Sequence, residues 1–209
     1  TIAQNAPADV EVLLNMKSAS SGMTVAELLR EKIQTIGENM TIRRFHRAEG
    51  AVSTYVHGGG RIGVLTEFDA ADNVAANPGF AEFAKDISMQ IAAMSPMFLS
   101  KGTVPADELA KEREILFAQI KNDEKLKNKP EQVIQKMVEG RLGKYYEANC
   151  LLEQIFIKDG TITVAAHIAA KAKEFGGAVS VKSFTRFEKG EGMQKKEDNF
   201  AAEVANMVK

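Results

Sequence analysis

The sequence predicts an α+β fold: an antiparallel sheet of three to four strands, helices packed on one face, and an antiparallel helical hairpin inserted between strands. Three observations carry this reading. Across residues 36–68 the apolar period switches from helical to alternating, and Gly37, Gly50 and Gly58-Gly59-Gly60 punctuate three short runs rich in Ile, Val, Thr, Tyr and Phe. Residues 105–147 hold two consecutive charged helical patterns with narrow apolar stripes and a polar turn between them. A late alternating stretch, residues 178–188, can rejoin the opening sheet only through a long connection.

Taken in order, residues 8–16 carry Val10, Leu13 and Leu14 at helical spacing behind Asp9, a cap or first-turn acid. Thr24 with Glu27 three residues on makes a capping box for a helix whose stripe is Val25, Leu28, Leu29 and Ile33. Gly37 sits where that helix needs a left-handed residue to end. Strands are expected over 41–49, over the run holding Val52, Thr54 and Val56, and over 62–68. The last is mostly apolar and therefore central in its sheet, and the glycine triplet before it reads as a hairpin turn.

Downstream, Phe80, Phe83, Ile87 and Ile91 stripe a helix that Pro96 stops. The hairpin helices run over 105–125, with Leu109, Ile115, Leu116 and Ile120, and from Pro130 through Val133, Ile134, Met137, Val138, Leu142 and Tyr145. Residues 155–163 read as a loop or short strand around a Lys158-Asp159-Gly160 turn, and 164–175 as a helix stopped by Gly176-Gly177. Gly190 and Gly192 mark a linker to a short terminal helix with Phe200, Val204 and Met207.

Composition narrows the function. Over 209 residues, 27 Lys+Arg against 28 Asp+Glu give a net charge of -1, which offers no bulk attraction to nucleic acid or an anionic membrane. No apolar run approaches the roughly 20 residues of a membrane span, and the beginning does not read as a signal peptide. Cys150 is the only cysteine, so no internal disulfide forms, which fits a reducing compartment. The expected address is the cytoplasm, or a plastid or mitochondrion. Thr1 opens the chain without a Met, as in a fragment or processed chain.

The motifs that superficially carry chemistry lose to plainer readings. His57-Gly58-Gly59-Gly60 matches an esterase oxyanion loop, but that chemistry needs a Gly-x-Ser-x-Gly elbow, and the chain has none. Gly58-x-Gly60-x-x-Gly63 has dinucleotide-fingerprint spacing, yet it leads into a strand, so no helix N-terminus faces a phosphate. His46, His57, His167 and Cys150 have no metal-ligand spacing, and Cys150 reads as a small hydrophobe near a helix end. Arg43, Arg44 and Arg47 lie among Glu38 and Glu49 and read as paired surface charge. No nucleophile with a base and no catalytic acid pair can be assembled. The chain reads as a binding protein with a projecting helical arm, without cofactor or metal.

Four ordered segments then carry a resemblance. IGENMTIRRFHRAEG (36–50), YVHGGGRIGVL (55–65), KPEQVIQKMVEGRLGKYYEANCLLEQIF (129–156) and SFTRFEKGEGMQKKEDNFAAEVANM (183–207) resemble the signature segments of elongation factor Ts, over essentially the whole chain. The resemblance implies a guanine nucleotide exchange factor that binds elongation factor Tu and promotes GDP release by weakening Mg²⁺ and phosphate binding, with no catalytic residue of its own. It implies partner contacts at Ile36 and Gly37, at His57, at Phe156, Ile157 and Lys158, and on the terminal helix at Phe200, Val204 and Met207. The arm would serve in self-association or partner contact.

The resemblance also implies domains: residues 1–40 as the helical remnant of a first core half, 41–188 as the second half with the arm inserted at about 105–147, and 189–209 as a C-terminal helical module. Two departures stand out. Ile155 takes the place of the family's usual Pro, and the family's Thr-Asp-Phe-Val segment does not occur in residues 1–209. The stretch is therefore expected to bind its partner yet be impaired in exchange. The alternative is a structural adaptor or ribosome-associated module that docks through the hairpin.

Overall fold

The structure, a computed structural model, describes residues 1–126 and 128–192. In chain order they form α1 (Ile2–Asn5), α2 (Val10–Asn15), α3 (Val25–Ile36), β1 (Ala51–His57), β2 (Ile62–Ala70), α4 (Asp72–Ala75), α5 (Phe80–Met94), α6 (Ala106–Asn122), α7 (Glu131–Asn149), β3 (Ile155–Phe156), β4 (Asp159–Thr163), α8 (Val164–Phe175) and β5 (Val179–Glu188). The α+β class and the antiparallel sheet are as the periodicity predicts.

β2 is the central strand, in the order β1-β2-β5, with both neighbours antiparallel. Val64, Thr66 and Phe68 on one face of it are buried, and Gly63, Leu65 and Glu67 on the other are half-buried. The turn into it is a three-glycine 3-10 turn, and all three residues have positive φ (60°, 63° and 94°), which side chains with a Cβ rarely adopt. On the inner face Val64, Thr66 and Phe68 of β2 and Val181 of β5 meet the stripe Phe83, Ile87 and Ile91 of α5, all within one buried cluster but for the hydroxyl of Thr66. That hydroxyl is satisfied: Thr66 Oγ1 and Ser88 Oγ lie 3.0 Å apart, and Ser88 Oγ donates to the Ala84 carbonyl. Truncating any one of the large side chains to alanine in such a cluster costs about 2–5 kcal/mol.

The expected strand over 41–49 does not form. A strand needs a ladder, and among the described residues side chains hold this segment instead. Arg43 Nη1 donates to the Glu191 carbonyl at 2.6 Å, Arg44 pairs with the Glu191 carboxylate at 2.6 Å, and the Arg44 guanidinium lies 4.2 Å over the Phe187 ring. His46 reaches Glu67 at 3.3 Å, and Arg47 donates to the Ala3 carbonyl. In a strand adjacent side chains point to opposite faces, whereas here Arg43 and Arg44 both turn to Glu191 beyond β5. The segment crosses the outer face of the sheet, where residues 46–48 and Ile2–Ala3 bound a groove of about 550 Å³ over Val52, Val56, Leu65 and Phe187.

The arm holds its own core. Leu116 and Ile120 of α6 pack against Ile134, Val138 and Leu142 of α7, apart from the core under the sheet. Its base is stitched to the body. The amides of Met97 and Phe98 both donate to the Asn149 carbonyl (2.9 and 3.0 Å), and those of Leu151 and Leu152 donate to Phe98 and Leu99 (2.9 and 3.0 Å). Cys150 is buried at this junction, and burial pushes its thiol pKa up, as for an inert packing residue.

At the other end of the chain the local rules hold closely. Asp9 caps α2 by accepting from the Val12 amide at 2.8 Å, and the Thr24–Glu27 capping box is complete. Gly37 ends α3 at φ 80°, its amide donating to the Ile33 carbonyl at 2.8 Å. Among the described residues, no helix is long and apolar enough to cross a membrane.

Candidate functional site

Two corners far apart in sequence meet beside the C-terminal half of α5. β1 ends at His57, carried by the ladder pair His57↔Ile62. The β3–β4 hairpin ends at Ile157 and Lys158, which form the whole turn between Phe156 and Asp159. The turn thus falls one residue earlier than the expected 158–160. Both of its residues keep negative φ, so no glycine is required, and a register shift at Ile155–Phe156 absorbs the mismatch with strand twist. Asp159 closes the turn by accepting from the Thr161 amide (3.0 Å) and hydroxyl (2.6 Å), bonds that pull its carboxyl below the usual range.

Between the corners lies an apolar pocket of about 300 Å³ lined by His57, Ile157, Tyr55, Ile62, Met89 and the alanines Ala92 and Ala93. The small side chains of Ala92 and Ala93 on α5 leave the recess its room. Tyr55 Oη and His57 Nδ1 lie 3.0 Å apart, so Nε2 is the ring nitrogen left to a visitor. Ile157 is 41% exposed on the rim. A cleft with an apolar floor and one imidazole at its edge fits an apolar side chain with a hydrogen-bonding neighbour. Among the described residues, no three His, Cys, Asp or Glu side chains gather as a metal site would need.

Lys158 does not point freely outward. Its Nζ lies 2.6 Å from Asp86 Oδ1 on α5, and this hydrogen-bonded ion pair raises the ammonium pKa. The pair ties the turn to the helix beneath it. Phe156 is 3% exposed, so it supports the turn from below and has no face of its own to offer. Its ring stacks on His167 of α8.

The remaining sequence-predicted residues sit elsewhere. Ile36 is 56% exposed at the end of α3, followed by Gly37 in the left-handed cap, and neither lines the pocket. Phe200, Val204 and Met207 lie outside the described residues. Tyr55, Met89, Ala92 and Ala93 were not singled out as site residues. Nor were two glutamines behind the turn, Gln90 and Gln154, both fully buried and hydrogen-bonded to each other. Gln90 had left a signal: it falls on the Phe83–Ile87–Ile91 stripe, where a polar residue is the informative exception.

Comparisons with known proteins agree on a family. The family described as elongation factor Ts matches residues 1–191. An elongation factor Ts of Clostridium botulinum (strain Eklund 17B) is 48% identical over 202 residues, covering 95% of this chain and 64% of that protein. One from Clostridium perfringens (strain 13) is 48% identical over 201 residues with the same coverage. One from Clostridium kluyveri (strain NBRC 12016) is 45% identical over 188 residues, 88% of this chain and 59% of the relative. The chain thus spans about two thirds or less of the length of these relatives.

Proposed function

This chain belongs to the elongation factor Ts family, and from that premise we propose that it serves translation elongation as a guanine nucleotide exchange factor, binding elongation factor Tu and promoting release of GDP. In this reading it makes and breaks no bond. It holds the GTPase in a state that binds Mg²⁺ and phosphate poorly, so that factor and nucleotide weaken each other's binding reciprocally. The site of action is then the bacterial cytoplasm, and the arm is free for self-association or further partner contact.

The observation that supports the reading is the meeting of His57 and Ile157 on one apolar pocket, although 100 positions separate them in the sequence. A protein-binding corner needs this: a small apolar recess, a polar rim and no chemistry. Ile36 and Gly37 at the end of α3 would add a second, separate contact.

Stopped-flow release of labelled GDP from elongation factor Tu tests the proposal. The full-length protein should accelerate release, and His57→Ala or Ile157→Ala should weaken binding about tenfold, as a central contact does. Residues 1–209, which carry no Thr-Asp-Phe-Val, should bind more weakly than full length and exchange poorly. A full-length protein that neither binds nor accelerates release would refute the reading. Deletion of residues 105–147 that abolishes binding, with His57→Ala silent, would favour the adaptor.

A further inference from the structure

Behind the Ile157–Lys158 turn, two fully buried glutamines join four elements. Gln90 of α5 accepts the Ile157 amide on Oε1 at 2.8 Å. Its Nε2 donates to the Ile155 carbonyl and to Gln154 Oε1, each at 3.1 Å. Gln154 Nε2 in turn donates to the Ala148 carbonyl in the last turn of α7 at 2.9 Å, and reaches the Met94 carbonyl at the end of α5 at 3.5 Å. The Gln154 carbonyl accepts the Val164 amide at the start of α8 (2.9 Å).

These partners are not interchangeable with packing. The last carbonyls of a helix have no partner within it, and here one amide group serves the ends of two helices. A buried amide without partners costs more than a buried apolar group of the same shape, so such a network is kept only when its geometry is complete. Gln90 also gives both hydrogen-bonding atoms of its amide to the backbone on either side of Phe156. It therefore sets the height and direction of Ile157 relative to the pocket floor on its own helix.

We infer that Gln90 and Gln154 form a positioning clasp. It holds the Ile157–Lys158 turn in its partner-ready place and ties that place to the base of the helical arm, so that a displacement of α7 reaches the pocket rim. The inference rests on the exchange-factor reading for what the turn contacts. The clasp itself touches no partner.

Two readouts on the full-length protein test it. Hydrogen exchange by NMR follows the Ile157 amide in the free protein, and calorimetry follows binding to GDP-bound elongation factor Tu. Gln90→Met, which keeps volume and loses every bond, should speed exchange at Ile157 and weaken binding about tenfold. Val181→Ala, a buried change across the sheet, should lower stability while leaving both readouts near wild type. Gln90→Met added to Ile157→Ala should cost no more binding than Ile157→Ala alone, since both act through one contact.

If Gln90→Met does not fold, the paired Gln90→Met/Gln154→Met variant removes the amide–amide bond from both sides at once and carries the same expectations. Unchanged protection at Ile157 overturns the clasp, as does wild-type binding by a variant whose Ile157 exchanges freely. Wild-type protein that fails to bind overturns the exchange-factor reading, and the binding half of this inference with it. The exchange readout then still decides whether the clasp holds the turn.

Discussion

The ring of His167 stacks on Phe156 with centroids 4.0 Å apart and planes 18° from parallel. Phe83 stands beside it at 5.9 Å, and His167 Nε2 is buried with no hydrogen-bond partner among the described residues. Burial pushes the imidazole pKa below its ordinary value, and Lys171 and Lys158 push the same way against Asp86 and Asp159.

A pH dependence follows from the sign. As pH falls below about 6.5, the unfolded chain takes up the proton before the folded one does. The stability contributed by neutral His167 is therefore full above the unfolded-state pKa and is lost as pH drops toward the folded-state value. Thermal unfolding between pH 7.5 and 5.5 should show stability falling, and His167→Leu should flatten that slope. An unchanged slope in His167→Leu would show that His167 does not carry the dependence.

The arm should tolerate gains that the body does not. Gly140 and Gly143 lie inside α7, and a Cβ added at either would meet nothing within 4 Å. Gly140→Ala and Gly143→Ala should each stabilise the arm by about 0.5–1 kcal/mol, the helical penalty of glycine against alanine. Urea titration followed by arm amides reads this directly. A loss of stability would mean that something packs closely on that face.

Gly177 has the opposite sign. A Cβ there would come within 2.7 Å of Val74 Cγ2 and 2.9 Å of Asn73 Oδ1. Asn73 also donates to the Gly176 carbonyl at 3.2 Å, so it cannot simply swing away. Gly177→Ala should cost about 1–3 kcal/mol through overpacking, seen as a lower urea midpoint with an unchanged m value. Wild-type stability would show that α4 gives way freely.

The separation of the two cores predicts local unfolding. Ile120 and Ile134 are fully buried, but only within the arm. Ile134→Ala should cost about 2–5 kcal/mol there. Hydrogen exchange should then show α6 and α7 losing protection while β2 keeps its own. Equal loss in β2 would mean that arm and sheet unfold as one unit.

Sequence-local rules account for a large part of the fold. The Thr24–Glu27 capping box, the Gly37 cap, the glycine turn and the helix of residues 164–175 depend on neighbours three or four positions away, and all appear as read. Likewise the apolar run of β2 announced a central strand before any partner was known. The stripe of α5 announced its buried face, though not that Gln90 on that stripe would find Gln154.

What failed to read from sequence depends on remote partners. Residues 41–49 alternate enough to suggest a strand, yet Arg43 and Arg44 are claimed by Glu191, nearly 150 positions later. The site divides in the same way. His57, Ile157 and Lys158 are implied by the resemblance alone, whereas Tyr55, Met89 and the two alanines became neighbours of His57 and Ile157 only when β1, α5 and the β3–β4 hairpin packed together. By itself the sequence determined the longer helices, the glycine turn and the central strand, because those follow from period and φ preference over a few residues. Only the tertiary structure decided that the corners share one pocket and that a buried amide pair holds its rim. Long-range packing and hydrogen-bond satisfaction are properties of the folded whole.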